Sequence, residues 1–393
     1  MSDPATDTRR WLDDPVESGP AAGFGVYLHV PFCAHRCGYC DFATYDDRDG
    51  WIPRYVAALH EDLRRTAATH AETTQRPVTS IFVGGGTPTL LPPADLAGIV
   101  SAVRDEFEVA GDAEITVECN PETASPELFE ALAHARVNRL SIGAQSFAPH
   151  VLSTLERQHG PEGPAVAVTQ AREAGIERLN VDLIYGTPGE SDADWRRSLE
   201  QVLDLGVDHV SCYALTIHPN TPFGRRVRTG AMAAPSDEVQ RRRFDLARDV
   251  LSAAGFDHYE ISNWARTPRE RSAHNTLYWR HGDYLAVGVG AHGHLDGARW
   301  WRTRSVEDYV NAVEAGRSPV AGEEELTVEQ RRDERLLLGL RLKEGLHPVD
   351  RPPISPDALA DAVDRGLVRT SCGRLQATEA GWFLLDDAVA RLA

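Results

Sequence analysis

No apolar run in this 393-residue chain approaches the ~20 residues that a membrane span needs. The first 20 residues are polar, acidic and proline-containing, and they lack the apolar core of a signal peptide. We read residues 1–22 as a disordered acidic tail and expect a cytoplasmic, reducing location. Cysteine is scarce, at six residues, and in a reducing compartment thiols serve as metal ligands rather than disulfide partners. Basic charge is also in deficit, with 41 Lys+Arg against 59 Asp+Glu and a formal net charge of −18. General nucleic-acid binding requires a basic footprint, so we expect no nucleic-acid partner. What remains is ordinary for a soluble globular protein: 42% hydrophobic, 25% charged, and long enough for a large core plus one further domain.

From residue 24 to about 262, short apolar runs alternate with longer amphipathic ones. Strands are expected at Gly25–His29, Ser80–Val83, Glu114–Glu118, Arg139–Ile142, Leu179–Ile184, His209–Leu215 and Asp257–Glu260. Helices are expected at Tyr55–Thr69, Pro93–Phe107, Pro126–Ala135, Pro164–Ala174, Asp192–Leu205 and Ser236–Ala254. Such alternation means βα units and a parallel sheet. About six repeats suggest an α/β barrel or partial barrel, whose active residues sit at the C-terminal strand ends.

Half of the cysteines, Cys33, Cys37 and Cys40, fall within eight positions just after the first strand. The C-x3-C-x2-C spacing supplies three thiolates and leaves a fourth position open. A structural zinc site takes four protein ligands, and the usual iron–sulfur cluster takes four thiolates. Two other readings of the same residues are a zinc knuckle completed by His35 and a redox thiol cluster. Gly84-Gly85-Gly86-Thr87-Pro88 follows the second strand, where consecutive glycines expose backbone N–H and C=O groups to a ligand. Glu118, Gln145 and Asp182 sit at the mouths of successive strands, and Arg157 could grip a carboxylate bidentately. Carboxylates make poor core residues unless they have partners.

In combination these motifs resemble the radical S-adenosylmethionine (SAM) superfamily, and within it the oxygen-independent coproporphyrinogen oxidase family. The resemblance implies a partial (β/α)6 barrel. It also implies a [4Fe-4S] cluster on Cys33, Cys37 and Cys40, with SAM on the fourth iron. Gly85, Gly86, Thr87, Glu118, Gln145, Arg157 and Asp182 would contact SAM, with Tyr27 and Tyr39 packed near it. Cys119, Cys212 and Cys372 read as small hydrophobes or inert thiols.

Tyr259–Asn263 is followed by His274-Asn275-Thr276-Leu277-Tyr278-Trp279. As local structure this reads as a strand and turn with an aromatic anchor, although imidazole beside planar aromatics also suits haem. H-N-x-x-Y-W resembles the mark of the HemW-type haem-chaperone branch, making His274, Asn275, Tyr278 and Trp279 haem candidates, with His292 and His294 weaker ones. The coproporphyrinogen dehydrogenase branch carries a cysteine where this chain has Phe42, and a longer N-terminal extension. His218 departs from the family, which usually shows Glu there.

Residues 23–320 are therefore expected to form the barrel, with a branch-specific segment at 255–300. Residues 321–393 are expected to form a small winged-helix-like domain, the link lying near 316–326. That domain has helices at Glu334–Leu342 and Leu359–Gly366, a hairpin over Gly366–Thr378 and a closing helix at Ala380–Leu392. Residues 327–393 carry 10 Lys+Arg against 11 Asp+Glu, which argues against DNA and for packing on the barrel or a protein contact. The function implied is a haem chaperone that passes haem to apoproteins such as respiratory cytochromes, with cluster and SAM acting through homodimerisation or release. The competing enzyme reading is radical-SAM oxidative decarboxylation of coproporphyrinogen III.

Overall fold

Apolar runs capped by turn residues fold into strands, and the i, i+4 apolar spacing of the stretches between them folds into helices. The computed structural model describes residues 23–71, 76–347 and 352–393, so the expected tail, residues 1–22, lies outside the described residues. The first half runs β1 (Phe24–Val30), α1 (Ile52–Thr69), β2 (Val78–Gly85), α2 (Pro93–Glu106), β3 (Val109–Cys119) and α3 (Pro126–His134). It continues with β4 (Arg139–Gln145), α4 (Pro149–Thr154), α5 (Gly163–Glu173), β5 (Arg178–Tyr185), α6 (Asp192–Asp204) and β6 (His209–Ala214). Several of these helices start with Pro in the first turn, where its missing N–H would have no partner anyway. In α1, Tyr55, Leu59, Leu63 and Ala67 recur every fourth residue on the buried face.

Strands β1 to β6 pair in sequence order and all in parallel. Next come α7 (Pro222–Arg228), α8 (Asp237–Ala253), β7 (Asp257–Glu260), β8 (Asn263–Ala265), α9 (Ala273–Trp279) and β9 (Asp283–Val287). The unit ends with β10 (His292–Leu295), β11 (Ala298–Arg302), α10 (Val306–Glu314) and β12 (Val320–Glu325). One twelve-stranded sheet results, in the order β12-β11-β10-β9-β1-β2-β3-β4-β5-β6-β8-β7. Its edges, β12 and β7, do not pair with each other, and β9 joins β1 in parallel, so β9 and β1 to β6 form an open, partial barrel.

The aromatic segment at 274–279 is helical rather than a strand and turn. Ser272 caps α9 by accepting from Asn275 N–H, and the Glu114 carboxylate accepts the N–H groups of Ala273 and His274 at 3.0 and 3.2 Å. Tertiary contact, not periodicity, makes this two-turn helix.

The chain then continues with α11 (Val328–Gly339), α12 (Pro356–Asp364), the hairpin β13 (Val368–Ser371) and β14 (Arg374–Ala377), α13 (Glu379–Phe383) and α14 (Leu385–Leu392). This helix–helix–hairpin–helix order has its own core, including Leu336, Leu359, Leu367, Leu375 and Leu392. The expected single closing helix is broken at Leu384, and the large sheet runs on to Glu325, beyond residue 320. Trp382 packs edge-on against His258 at 4.7 Å, and Glu260 bridges to Leu342, so this unit rests on β7 and β8.

One buried polar knot ties α1, β11 and α10 together. Arg302 donates to both Asp62 oxygens at 2.6 and 3.0 Å and to Thr66, while the Tyr309 hydroxyl donates to Asp62 at 2.8 Å. Removing one partner strands the other charge in the core. Arg302→Ala is therefore expected to destabilise the fold by about 3–5 kcal/mol, read as a fall in the urea midpoint. An unchanged midpoint would show that the knot carries no such weight.

Candidate functional site

The pleat decides which side chains meet. On β4, Leu140, Ile142 and Ala144 join the core, and the alternate residues Arg139, Ser141, Gly143 and Gln145 line a central cavity. On β5 the core takes Leu179, Val181 and Leu183, and the cavity takes Asn180, Asp182 and Ile184. Successive side chains point to opposite faces of a strand, so one face of each is apolar against helices and the other polar inside the barrel. The cavity measures about 410 Å³ and is lined by Cys33, Cys37 and Cys40 together with Gly85, Gly86, Thr87, Glu118, Gln145, Arg157 and Asp182.

The three cysteines ride on a loop that leaves β1 and closes on itself. Cys33 N–H donates to the Tyr45 carbonyl at 2.9 Å, and Tyr45 N–H to the Pro31 carbonyl at 2.8 Å. The glycine turn is laced to this loop by Gly86 N–H on the Val30 carbonyl and Thr87 N–H on the Phe32 carbonyl. A Cβ at Gly86 would stand 2.6 Å from the Phe32 carbonyl and 3.0 Å from Cys33 Sγ, so only glycine allows this approach. Gly85 has φ +117°, a conformation closed to most L residues.

All three thiols are free. Burial pushes the Cys33 thiol up to about 12 and raises Cys37 as well, the latter opposed by Arg157. Buried thiols become thiolates only if positive charge arrives with them, as a metal centre provides. Among the described residues no group of three or more His, Cys, Asp or Glu side chains is placed to hold a metal ion. Tetrahedral zinc, with bonds of about 2.3 Å, would draw its ligands into contact. His35, the fourth ligand of the zinc reading, instead faces Glu156 at 3.8 Å. Three thiols around a roomy cavity fit an iron–sulfur cluster with an open iron better than a single ion.

Arg157 spans the floor. Its guanidinium donates to Asn120 Oδ1 at 2.7 Å and the Gly143 carbonyl at 3.0 Å, and lies 3.8 Å from Cys37 Sγ. Its Nε is buried without a partner, and the residue lines the cavity. Glu118 accepts from Gly85 N–H at 2.9 Å, and burial followed by the nearby Asp182 charge raises its carboxyl to about 7. Asp182 accepts from Ser141 Oγ and Asn180 Nδ2 at 2.8 and 2.9 Å, and burial raises it too. Asn120, Ser141 and Asn180 are cavity residues that the motif reading passed over, although their strand parity marks the last two.

Tyr39 lines the cavity and Tyr27 does not. Tyr27 stacks behind Phe82, which takes the wall position instead, and its hydroxyl meets His29 Nδ1 at 3.0 Å. Of the aromatic segment only Asn275 reaches the cavity. His274 is 1% exposed, with Nδ1 2.9 Å from Ser80 Oγ and Nε2 2.8 Å from the Tyr278 hydroxyl. Burial lowers its pKa to about 4, so the ring is neutral. Freeing it for a metal leaves two buried hydroxyls unpartnered, at about 1–3 kcal/mol each. Trp279 lies under Arg341 at 4.2 Å. His294 is buried, bonded to the Gly282 carbonyl, and His292 is exposed on Trp301, both away from the cavity.

The family model for the radical SAM superfamily matches residues 27–202. The chain is 45% identical over 376 residues to a protein named haem chaperone HemW in Mycobacterium tuberculosis H37Rv, covering 95% of each chain. It is 32% identical over 371 residues to haem chaperone HemW of Bacillus subtilis, covering 92% of this chain and 97% of that one. Among solved structures, coproporphyrinogen III oxidase (HemN) of Escherichia coli matches with a TM-score of 0.81 at 22% identity, over 99% of this chain and 92% of that one. That likeness establishes the fold. Membership of the radical SAM superfamily implies a [4Fe-4S] cluster and SAM, which the thiols, the glycine cradle and the orphan Arg157 donor fit. Among the described residues no helix is long and apolar enough to cross a membrane.

SAM carries a sulfonium cation, and a cation held in this cavity would favour an ionised Glu118. Because this carboxyl titrates near 7, SAM affinity is expected to weaken as pH falls below 7, by up to about tenfold per unit, and to level off above it. Isothermal titration across pH 5.5–8.5 measures the slope, and Glu118→Gln should flatten it. A wild-type profile without a step near 7 would exclude this coupling.

Proposed function

The chain belongs to the HemW family of haem chaperones, within the radical SAM superfamily, and from that membership we propose that it binds haem and hands it to haem-requiring apoproteins. The observation that carries the reading is likeness along nearly the whole chain, C-terminal unit included, to relatives named as haem chaperones. Respiratory cytochromes are the proposed recipients.

Cys33, Cys37 and Cys40 would hold the cluster, which when bound supplies one-electron chemistry and an open iron for the SAM amino and carboxylate groups. Gly85 and Gly86 bring backbone within reach of that ligand, Thr87 ties the turn to Asn120, and Arg157 brings positive charge to the cavity for a carboxylate. Glu118 and Asp182 supply negative charge toward the sulfonium and ribose, and Gln145 closes the β4 side. His274 supports the cavity by packing behind Phe82 at 5.3 Å and by fixing the helix that presents Asn275. Cluster and SAM then act as a state signal for haem capture, release or dimerisation, not as a reagent acting on haem.

Haem titration of anaerobically reconstituted protein tests this. A Soret band saturating near one haem per chain, followed by transfer to an apocytochrome, is the expected result. Absence of haem binding, together with SAM cleavage and loss of coproporphyrinogen III, would transfer the chain to the dehydrogenase reading.

A further inference from the structure

A haem site can be built from an apolar plate, an accessible imidazole and cations for two propionates. His274 offers an imidazole only after losing two buried hydrogen bonds. The outer mouth of the cluster cavity offers exposed rings and an accessible imidazole, with arginines on the neighbouring helix α7. Seven large hydrophobic side chains are exposed among the described residues, and two of them, Phe42 (63%) and Tyr213 (39%), line this one cavity. His218 lines the same mouth, its side chain 46% exposed, with Nε2 3.3 Å from the Asp41 carboxylate. An exposed pair of this kind is weak, and a metal would displace it readily.

The cations stand just beyond. No acidic residue occurs between Asp208 and Asp237, although the whole chain carries −18. Within that stretch lies α7, bearing Arg225, Arg226 and Arg228. It is anchored on the cysteine loop by Phe223, whose N–H donates to the Gly38 carbonyl at 2.9 Å and whose ring meets Tyr39 at 6.1 Å. Arg226 shares Glu156 with His35. Arg228 donates to the Pro219 carbonyl, next to His218, and neither it nor Arg225 is held by an acidic side chain among the described residues.

We propose that haem docks across this mouth, with Phe42 and Tyr213 against the porphyrin face, His218 as axial imidazole, and Arg225 and Arg228 on the propionates. The inference rests on the haem-chaperone reading and locates its site.

The test is haem titration of the full, cluster-loaded chain, followed by visible absorption and electron paramagnetic resonance. Wild type is compared with His218→Ala, His218→Gln, Arg225→Glu/Arg228→Glu and His274→Ala. Acid-labile sulfide and SAM binding verify that each variant is loaded and folded. Both His218 variants are expected to weaken binding at least about tenfold and to lose the imidazole-ligated spectrum, which added imidazole should restore. The double charge reversal should weaken binding about tenfold without moving the Soret maximum. His274→Ala, which removes support behind Phe82, should weaken SAM binding yet keep the imidazole-ligated spectrum. Wild-type spectra and affinity in the His218 and arginine variants, or loss of the imidazole signature in His274→Ala alone, would overturn the proposal while leaving haem binding intact. A wild-type chain that binds no haem would remove the chaperone reading itself.

Discussion

Keeping charge inside a barrel is the constraint from which the rest of this structure follows. A parallel strand covered by helices on one side can be apolar there, but the inner face must be filled, and here it is filled with Glu118, Ser141, Asn180 and Asp182. Each carboxylate is expensive to bury, and the raised titration of Glu118 and Asp182 reflects that cost directly. The offset is local: Gly85 N–H on Glu118, and Ser141 and Asn180 on Asp182. These donors hold both carboxylates at the cavity wall, where a cationic ligand would complete the charge balance. Arg157 repeats the logic with opposite sign, its guanidinium bonded to Asn120 and Gly143 while Nε stays open.

That constraint also explains what could be read in advance. The seven strands and six main helices were legible within a few residues, because amphipathic spacing over ten or more positions leaves little ambiguity. The cavity residues were legible through strand parity, since residues two apart share a face. Tyr27 shows where that argument stops: Phe82 of the neighbouring strand stands in front of it, and no single-strand pattern reports which of two neighbouring rings is outermost. Helix α9 was hidden for another reason. Seven residues are too few to show a 3.6-residue period, and its N-terminus is fixed by Glu114, about 160 positions away in sequence. The Gly-Glu-Glu-Glu run read as a linker is the edge strand β12. Dense charge on an edge strand discourages further pairing, and that charge disguises it as a loop.

The aromatic segment lies between two bodies. On its inner side His274 bonds to Ser80 of β2 and Asn275 faces the cavity. On its outer side Trp279 lies under Arg341, Arg280 pairs with Glu344 at 2.6 Å and His281 approaches Glu334 at 3.3 Å, all contacts with the C-terminal unit. Movement of that unit would therefore be felt at the cavity wall through α9. The outer contacts are part-buried or at the surface, while the inner bond of His274 to Ser80 is fully buried.

Haem at the cavity mouth and SAM on the cluster would share one loop, residues 31–45, pinned at Phe32 and Tyr45 and carrying both Cys40 and Phe42. Two ligands that bear on the same loop cannot be energetically independent unless the loop is indifferent to both. Whatever factor SAM imposes on haem affinity, haem must impose on SAM affinity, because the two routes to the doubly bound state have the same total free energy. A carrier needs such a link more than it needs tight binding, since haem held equally well in every state would never be released. The short, glycine-containing loop between Cys37 and Cys40, with α7 docked on it through Phe223, is where that link has the least distance to travel.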